Sequence, residues 1–238
     1  MKDKLIKYAL ITALLVVGVI FVAKSFGPSI LKTYVNYTIG DCKKNPLLCV
    51  VPSEAMDASD IASADLADFL PYRFLKVSLQ VPKGFKVVNG EVAKVYYKRR
   101  FAKYTEAAVY IFCQKPGFFV NLFPQLKKGL IVSDYDFISR VMNANLNSVS
   151  SLDDVFFVIT KSIFIPCMGS QENLKMASFT RKERKGFIVY SMDPGDNYFE
   201  CDFIDEKLNF YKIYIRDKGA RLDLKKVFAI VDSSMAID

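Results

Sequence analysis

The chain has 238 residues, 52% of them hydrophobic, and its 33 Lys and Arg against 25 Asp and Glu give a formal net charge of +8. It contains no histidine and no tryptophan. The missing histidine excludes Ser-His-Asp and Cys-His catalytic units and any imidazole metal site. The length suits one well-filled core, so a single main domain is expected.

The apolar excess is concentrated at the N-terminus. Tyr8 to Ala23 (YALITALLVVGVIFVA) is a run of sixteen residues without a charge, preceded by Lys2, Lys4 and Lys7 and closed by Lys24. A helix rises ~1.5 Å per residue, so about twenty residues cross a ~30 Å hydrocarbon core. Counting from Leu5, with Lys7 and Lys24 reaching outward, the segment approaches that length. The favoured reading is an uncleaved transmembrane signal-anchor over residues 1–24. A cleaved signal peptide with Ala23-Lys24-Ser25 at its site is the alternative, and a buried core helix a third. Basic residues before the run outnumber those just after it, which places the N-terminus in the cytoplasm. The expected location is a single pass through the inner or plasma membrane, with the remainder of the chain outside the cytoplasm.

Five cysteines follow. Cys42 and Cys49 flank KKNPLL, whose Asn-Pro pair signals a turn, and can close a small disulfide ring in an oxidising space. Cys167 with Cys201 is a weaker second pair. Cys113, in the strand-like AAVYIFC, reads as a small core hydrophobe. No cysteine spacing suggests zinc, and no metal or cofactor is expected.

Residues 25–70 read as a juxtamembrane linker. A short helix is expected from Gly27-Pro28 to Tyr37, with proline in the first turn, and the cysteine loop follows. The next stretch is Ala/Ser-rich and carries Glu54, Asp57, Asp60, Asp65 and Asp68. Charge divides along these boundaries. Residues 1–24 hold four bases and one acid, residues 25–70 three bases and six acids, and residues 71–238 the other 26 bases and 18 acids. The acidic stretch is read as solvated linker or short exposed helix, with folding back on the basic domain or peptide docking as alternatives.

The globular domain is expected over residues 71–238. RFLKVSLQV alternates through Leu75, Val77, Leu79 and Val81, the period of a half-buried strand. Asn89-Gly90 then predicts a hairpin returning through EVAKVYYKRR. Another strand is expected over Thr105 to Cys113. Two helices follow, opened by Ser133 with Asp136 and by Ser151 with Asp154. The first presents Phe137, Ile138, Val141 and Met142. The second presents Leu152, Val155, Phe156, Ile159 and Ile163, with strand as an alternative because it is rich in β-branched residues. Strands resume at Lys175, with turns predicted at Lys185-Gly186, Asp193-Pro194-Gly195-Asp196 and Glu206 to Asn209. A closing helix capped by Asp223 carries Leu224, Val227, Phe228 and Val231. The expected class is α+β, an antiparallel sheet with helices packed on it.

The opening KVSLQVPKGF, the two mid-chain helices, the KGFIVY strand pair and the final VFAIVDSS together resemble the PsbP-like fold family over residues 72–234. That resemblance implies an extracytoplasmic, mostly non-enzymatic module that binds or helps assemble partners. It carries over no functional residues.

Three clusters bear on chemistry. Lys98, Arg99, Arg100 and Lys103, and separately Arg181, Lys182, Arg184 and Lys185, are candidates for binding an anionic surface. Solvated surface charge and protected sheet edges account for the same residues. Export argues against nucleic acid, leaving headgroups or an acidic protein partner. The carboxylates Asp134, Asp136, Asp153, Asp154, Asp193, Asp196, Asp202 and Asp205 are the raw material of a hydrolase or hard-metal site. Capping and turns explain most of them, so no catalytic residue is assigned. Aromatic residues at strand positions, among them Tyr96, Tyr97, Phe118, Phe119, Phe210, Tyr211 and Tyr214, fit core packing, with some available to line a ligand surface. The expectation is a membrane-anchored binding or assembly module with no evident catalytic activity. Its alternative is a carboxylate-dependent hydrolase or metal-binding enzyme of the cell envelope.

Overall fold

A computed structural model describes residues 26–27, 29–56, 66–88, 90, 92–99, 102–127, 131–165, 173–219 and 221–237. The expected membrane segment, Arg100, Cys167 and the acidic residues Asp57, Asp60 and Asp65 lie outside the described residues. Among the described residues, no helix is long and apolar enough to cross a membrane.

Helix α1 comprises the helical residues 26–27 and 29–38. Strands β1 (Ser53–Met56), β2 (Phe69–Arg73), β3 (Val77–Pro82), β4 (Lys86–Val88), β5 (Val92–Arg99) and β6 (Ala102–Gln114) follow. Helices α2 (Phe118–Leu122), α3 (Asp134–Asn143) and α4 (Leu152–Phe164) occupy the middle of the chain. Strands β7 (Lys175–Arg181), β8 (Arg184–Asp193), β9 (Asp196–Ile204) and β10 (Phe210–Asp217) precede helix α5 (Leu224–Ser233) and strand β11 (Met235–Ala236). Eight strands form the main sheet in the order β1-β7-β8-β9-β10-β6-β5-β4, and β11-β3-β2 form a second sheet. The class is α+β as expected, but the main sheet is mixed, because β1 pairs with β7 in parallel.

Alternation along β10 assigns the two faces. Tyr211, Ile213 and Ile215 join the core under α5 and the small sheet, while Phe210 and Tyr214 face the core under α2, α3 and α4. A third cluster packs Val35 of α1 and Leu48 of the cysteine loop against Val155 and Val158 of α4. Local signals set the helix ends. Ser133 accepts from the Asp136 N–H, Ser151 and Asp154 form a reciprocal capping box, and Asp223 accepts from the Lys226 N–H. Asp134 does more than begin its own helix. Its buried carboxylate accepts from the N–H groups of Gly117, Phe118, Phe119 and Val120, the open end of α2.

Several expectations are corrected. The expected strand through Leu75 is two strands, with Arg73 ending β2, Val77 beginning β3, and Leu75 exposed in the connection. The turn placed at Lys185-Gly186 lies at Lys182-Glu183, both with positive φ (43° and 59°), and Gly186 sits inside β8. A Cβ on Gly186 would lie 2.2 Å from the Asp202 carbonyl oxygen, so glycine is required there by close strand approach rather than by a turn. Helix α4 buries Val155, Phe157, Val158 and Lys161, leaving Leu152 and Ile163 exposed. Part of the expected linker is built into the fold, since Ser53 to Met56 form the edge strand β1.

Candidate functional site

The helices do not cover the whole main sheet. Their shared core takes residues from β7, β8, β9 and β10 but, among the described residues, none from β5 or β6. The uncovered part forms a cleft of about 590 Å³. Val92, Ala108, Tyr110, Phe112 and Tyr214 supply its apolar and aromatic surface, with Lys212 and Arg216 beside them. Tyr110 is 37% and Phe112 41% exposed. Tyr110 packs on Tyr214 at 5.3 Å between ring centroids, and Phe112 meets Phe118 edge-on at 6.0 Å, closing the end nearest the helices.

Behind this surface is a charged cluster assembled by register. The β9–β10 pairing sets Asp202 opposite Lys212 and Glu200 opposite Tyr214. The Lys212 ammonium donates to the Glu200 carboxylate, to Asp202 at 3.2 Å and to the Phe164 carbonyl at the end of α4 at 2.8 Å. It also lies 4.1 Å from the centre of the Phe164 ring. Tyr198 donates its hydroxyl to Glu200. Glu200 and Asp202 are fully buried. Burial pulls the Lys212 pKa down, but Asp202 and Glu200 more than offset it, so the net shift is upward. Burial raises the Asp202 carboxyl well above its ordinary range, with Glu200 adding to the shift and Lys212 opposing it. Burial, followed by the Glu200 charge, also raises the Tyr198 phenol. At the other end of the cleft, Arg216 holds Asp196 through two bonds of 3.0 Å.

The predicted anion-binding residues are dispersed. Arg181 clamps Asp232 through bonds of 2.9 and 2.8 Å with both side chains nearly buried, and Lys182 adds a contact of 3.2 Å to the same carboxylate. Arg184 donates to the Ser234 carbonyl, and Lys185 lies 4.1 Å over the Tyr135 ring. Lys98 and Arg99 end β5, with Lys98 in register with Lys103 near the start of β6. Cys42 and Cys49 are disulfide-bonded, with Cα atoms 5.7 Å apart. Among the described residues Cys113 and Cys201 are free, buried thiols, and the weaker pair expected between Cys167 and Cys201 falls on a residue outside them. Among the described residues, no group of three or more cysteines and carboxylates is placed to hold a metal.

Sequence reasoning passed over Lys212, Glu200 and Arg216. Their signal is alternation. NFYKIYIRD and YFECDFI each place polar side chains opposite an apolar set, and a short turn joins the strands, so the polar sets share a face.

No protein-family model matches the chain, and no curated protein compared with it is similar to it.

Proposed function

We propose that this chain is a membrane-anchored binding or assembly module whose folded domain lies outside the cytoplasm and takes its ligand or partner on the uncovered part of the main sheet. The observation that carries this reading is the cleft itself, with exposed aromatic rings beside a fully paired charged cluster. A concave surface of this size, mostly apolar with a few fixed polar groups, suits recognition. The three donors of Lys212 are occupied by Glu200, Asp202 and Phe164, so the cluster stiffens the surface instead of offering a free base. The charge-free run over Tyr8–Ala23 supports the anchor, and the Cys42–Cys49 disulfide suits an oxidising compartment. The resemblance to PsbP-like domains belongs to the same reading. In it, Lys98, Arg99, Arg100 and Lys103 contribute attraction to an anionic surface.

A photo-crosslinking phenylalanine analogue at Phe112, in the full chain in its membrane, tests the cleft. One discrete light-dependent adduct is expected, absent when Ala108→Trp fills the floor and absent with the analogue at exposed Leu208. No adduct at Phe112 would overturn the proposed binding surface.

One observation favours a second reading, a carboxylate-dependent hydrolase. Burial raises the Asp202 carboxyl well above its ordinary range, and its ion-pair partner Lys212 lines the cleft. Turnover on ester, glycoside or phosphate substrates that disappears in Asp202→Asn would establish this reading over the first.

A further inference from the structure

Helix α1 has two apolar faces, and the fold uses only one. Leu31, Val35 and Ile39 turn inward onto the cluster that includes Leu48, Val155 and Val158. On the opposite side Phe26 (58% exposed), Ile30 (65%), Tyr34 (58%) and Tyr37 (90%) form a stripe. Their spacings of four, four and three residues place them within one narrow arc of a helix. Residues 25–40 contain one charged side chain, Lys32. The flanking hydroxyls of Thr33 and Thr38 return to the carbonyls of Ser29 and Tyr34, each at 2.8 Å, so they are satisfied within the helix. An exposed stripe in water ordinarily carries charge, whereas this one carries aromatic rings and internally bonded hydroxyls.

The chain outside the described residues identifies the occupant. It ends at residue 25, just before this helix, and includes the charge-free run from Tyr8 to Ala23 closed by Lys24. We propose that the Phe26–Ile30–Tyr34–Tyr37 face of α1 lies in the bilayer interface, parallel to the membrane plane, and docks the folded domain on the lipid surface. Phenylalanine and isoleucine enter the acyl boundary, and the two tyrosines hold the headgroup level, the depth such side chains prefer. The cysteine loop and α4, packed on the inner side of α1, fix the domain's tilt on the surface. This inference rests on the anchor reading and adds a second membrane contact to it.

The absence of tryptophan makes the test clean. Tyr34→Trp and Tyr37→Trp each introduce a single reporter, and Leu122→Trp, on α2, serves as an exposed control. The full chain is reconstituted into phosphatidylcholine–phosphatidylglycerol vesicles, some carrying nitroxide lipids labelled near the headgroup, and washed with alkaline carbonate. For both α1 reporters, blue-shifted emission and about twofold or greater quenching are expected, with neither effect at position 122. Retention after the wash with water-like, unquenched emission at positions 34 and 37 overturns the inference and leaves the anchor standing. Quenching before the wash, followed by loss of the chain during it, overturns the anchor and leaves the interfacial helix standing.

Discussion

The Lys212 ammonium stands 3.2 Å from the carboxylate of Asp202, its directly opposed neighbour on β9, and the same ammonium neutralises Glu200. One cation thus serves two fully buried acids, and burial, with the Glu200 charge adding to it and Lys212 opposing, raises the Asp202 carboxyl well above its ordinary range. Removing Lys212 as Lys212→Met leaves two buried acids without a cation and is expected to cost about 3–5 kcal/mol in urea unfolding. Asp202→Asn keeps one acid for one cation and should cost far less. Asp202 retains its proton in the folded state above its unfolded pKa of about 3.8. Its contribution is therefore complete below that value and declines as pH rises towards the folded pKa. Asp202→Asn should flatten that part of the stability–pH curve. An unchanged curve would remove Asp202 as its source.

Lys161 presents the opposite case. Its ammonium is wholly buried, has no carboxylate beside it among the described residues, and donates to the carbonyls of Val50, Met142 and Ala144 at 2.6, 2.8 and 2.9 Å. It ties the C-terminal end of α3 to the segment after the disulfide, where unpaired helix carbonyls favour a cation. Burial pushes its pKa down from 10.5 to about 7. Below pH 7 both states are protonated and the burial cost is present in full. Above it the unfolded chain binds the extra proton, so stability rises with pH by up to ~1.4 kcal/mol per unit. Above about pH 9, Cys113 and the buried tyrosines act in the reverse sense, because burial raises their pKa values. Thermal melts between pH 7 and 9 should show a rising limb in the parent chain and none in Lys161→Met. An equally steep limb in the variant excludes Lys161 as its cause.

How far these groups were legible in the sequence depends on how local their partners are. Ser133 with Asp136, Ser151 with Asp154, and Asp223 with Lys226 each act across three residues, so pattern alone finds them. Lys212 meets Glu200 twelve residues away, after a turn whose length sets the register, and no helical spacing reveals that pair. Lys161 reaches Val50 across 111 residues and Asp134 reaches Gly117 across 17, contacts made only when whole elements pack. The α4 face was misassigned because apolar residues occur around most of that helix, and tertiary packing chose among them. The parallel β1 edge was missed because four residues carry too little pattern to outweigh the acidic composition that follows.

Asp134 tests the cross-capping of α2. Helix α2 has five residues, too few to persist without help, and its N–H groups converge on one carboxylate. Asp134→Ala should destabilise the fold by about 2 kcal/mol, at the upper end for a cap because four donors lose their acceptor. Asp136→Ala, which removes only a local bond from the Val132 N–H, should cost about half as much or less. Equal losses in paired urea titrations would show that the four-donor cap confers no special stability.

The four cysteines among the described residues divide into one bonded pair and two sheltered thiols. Closing the loop between Cys42 and Cys49 stabilises by about 2 kcal/mol on the chain-entropy account. Reduction should therefore lower the melting temperature, and because Leu47 of the loop is buried in the core between the helices and the main sheet, the loss extends to that packing. Burial raises the Cys113 thiol to about 11 and Cys201 well above its ordinary value. Neither should react with iodoacetamide in the native, unreduced chain at pH 8, as peptide mass mapping would report. Alkylation of either before unfolding would contradict the burial assigned to it.

The β7–β8 hairpin stores strain that a substitution can relieve. Lys182 and Glu183 both adopt positive φ, which a tight two-residue hairpin requires and which side chains with a Cβ disfavour. The glycine in this hairpin is three residues past Glu183, where β8 passes β9 too closely for a side chain. Lys182→Asn with Glu183→Gly should stabilise the protein by about 1 kcal/mol, because asparagine and glycine accept this turn at less cost. The change removes the Lys182 contact with Asp232, but Arg181 retains its own two bonds to that carboxylate, so little is lost. Gly186→Ala should do the reverse, driving a methyl into the Asp202 carbonyl and the β9 backbone. A loss of about 3 kcal/mol or failure to fold is expected. Urea titration of the two variants side by side decides the matter. A neutral Gly186→Ala would refute the close approach, and a destabilised Asn-Gly variant would refute the strain at Lys182 and Glu183.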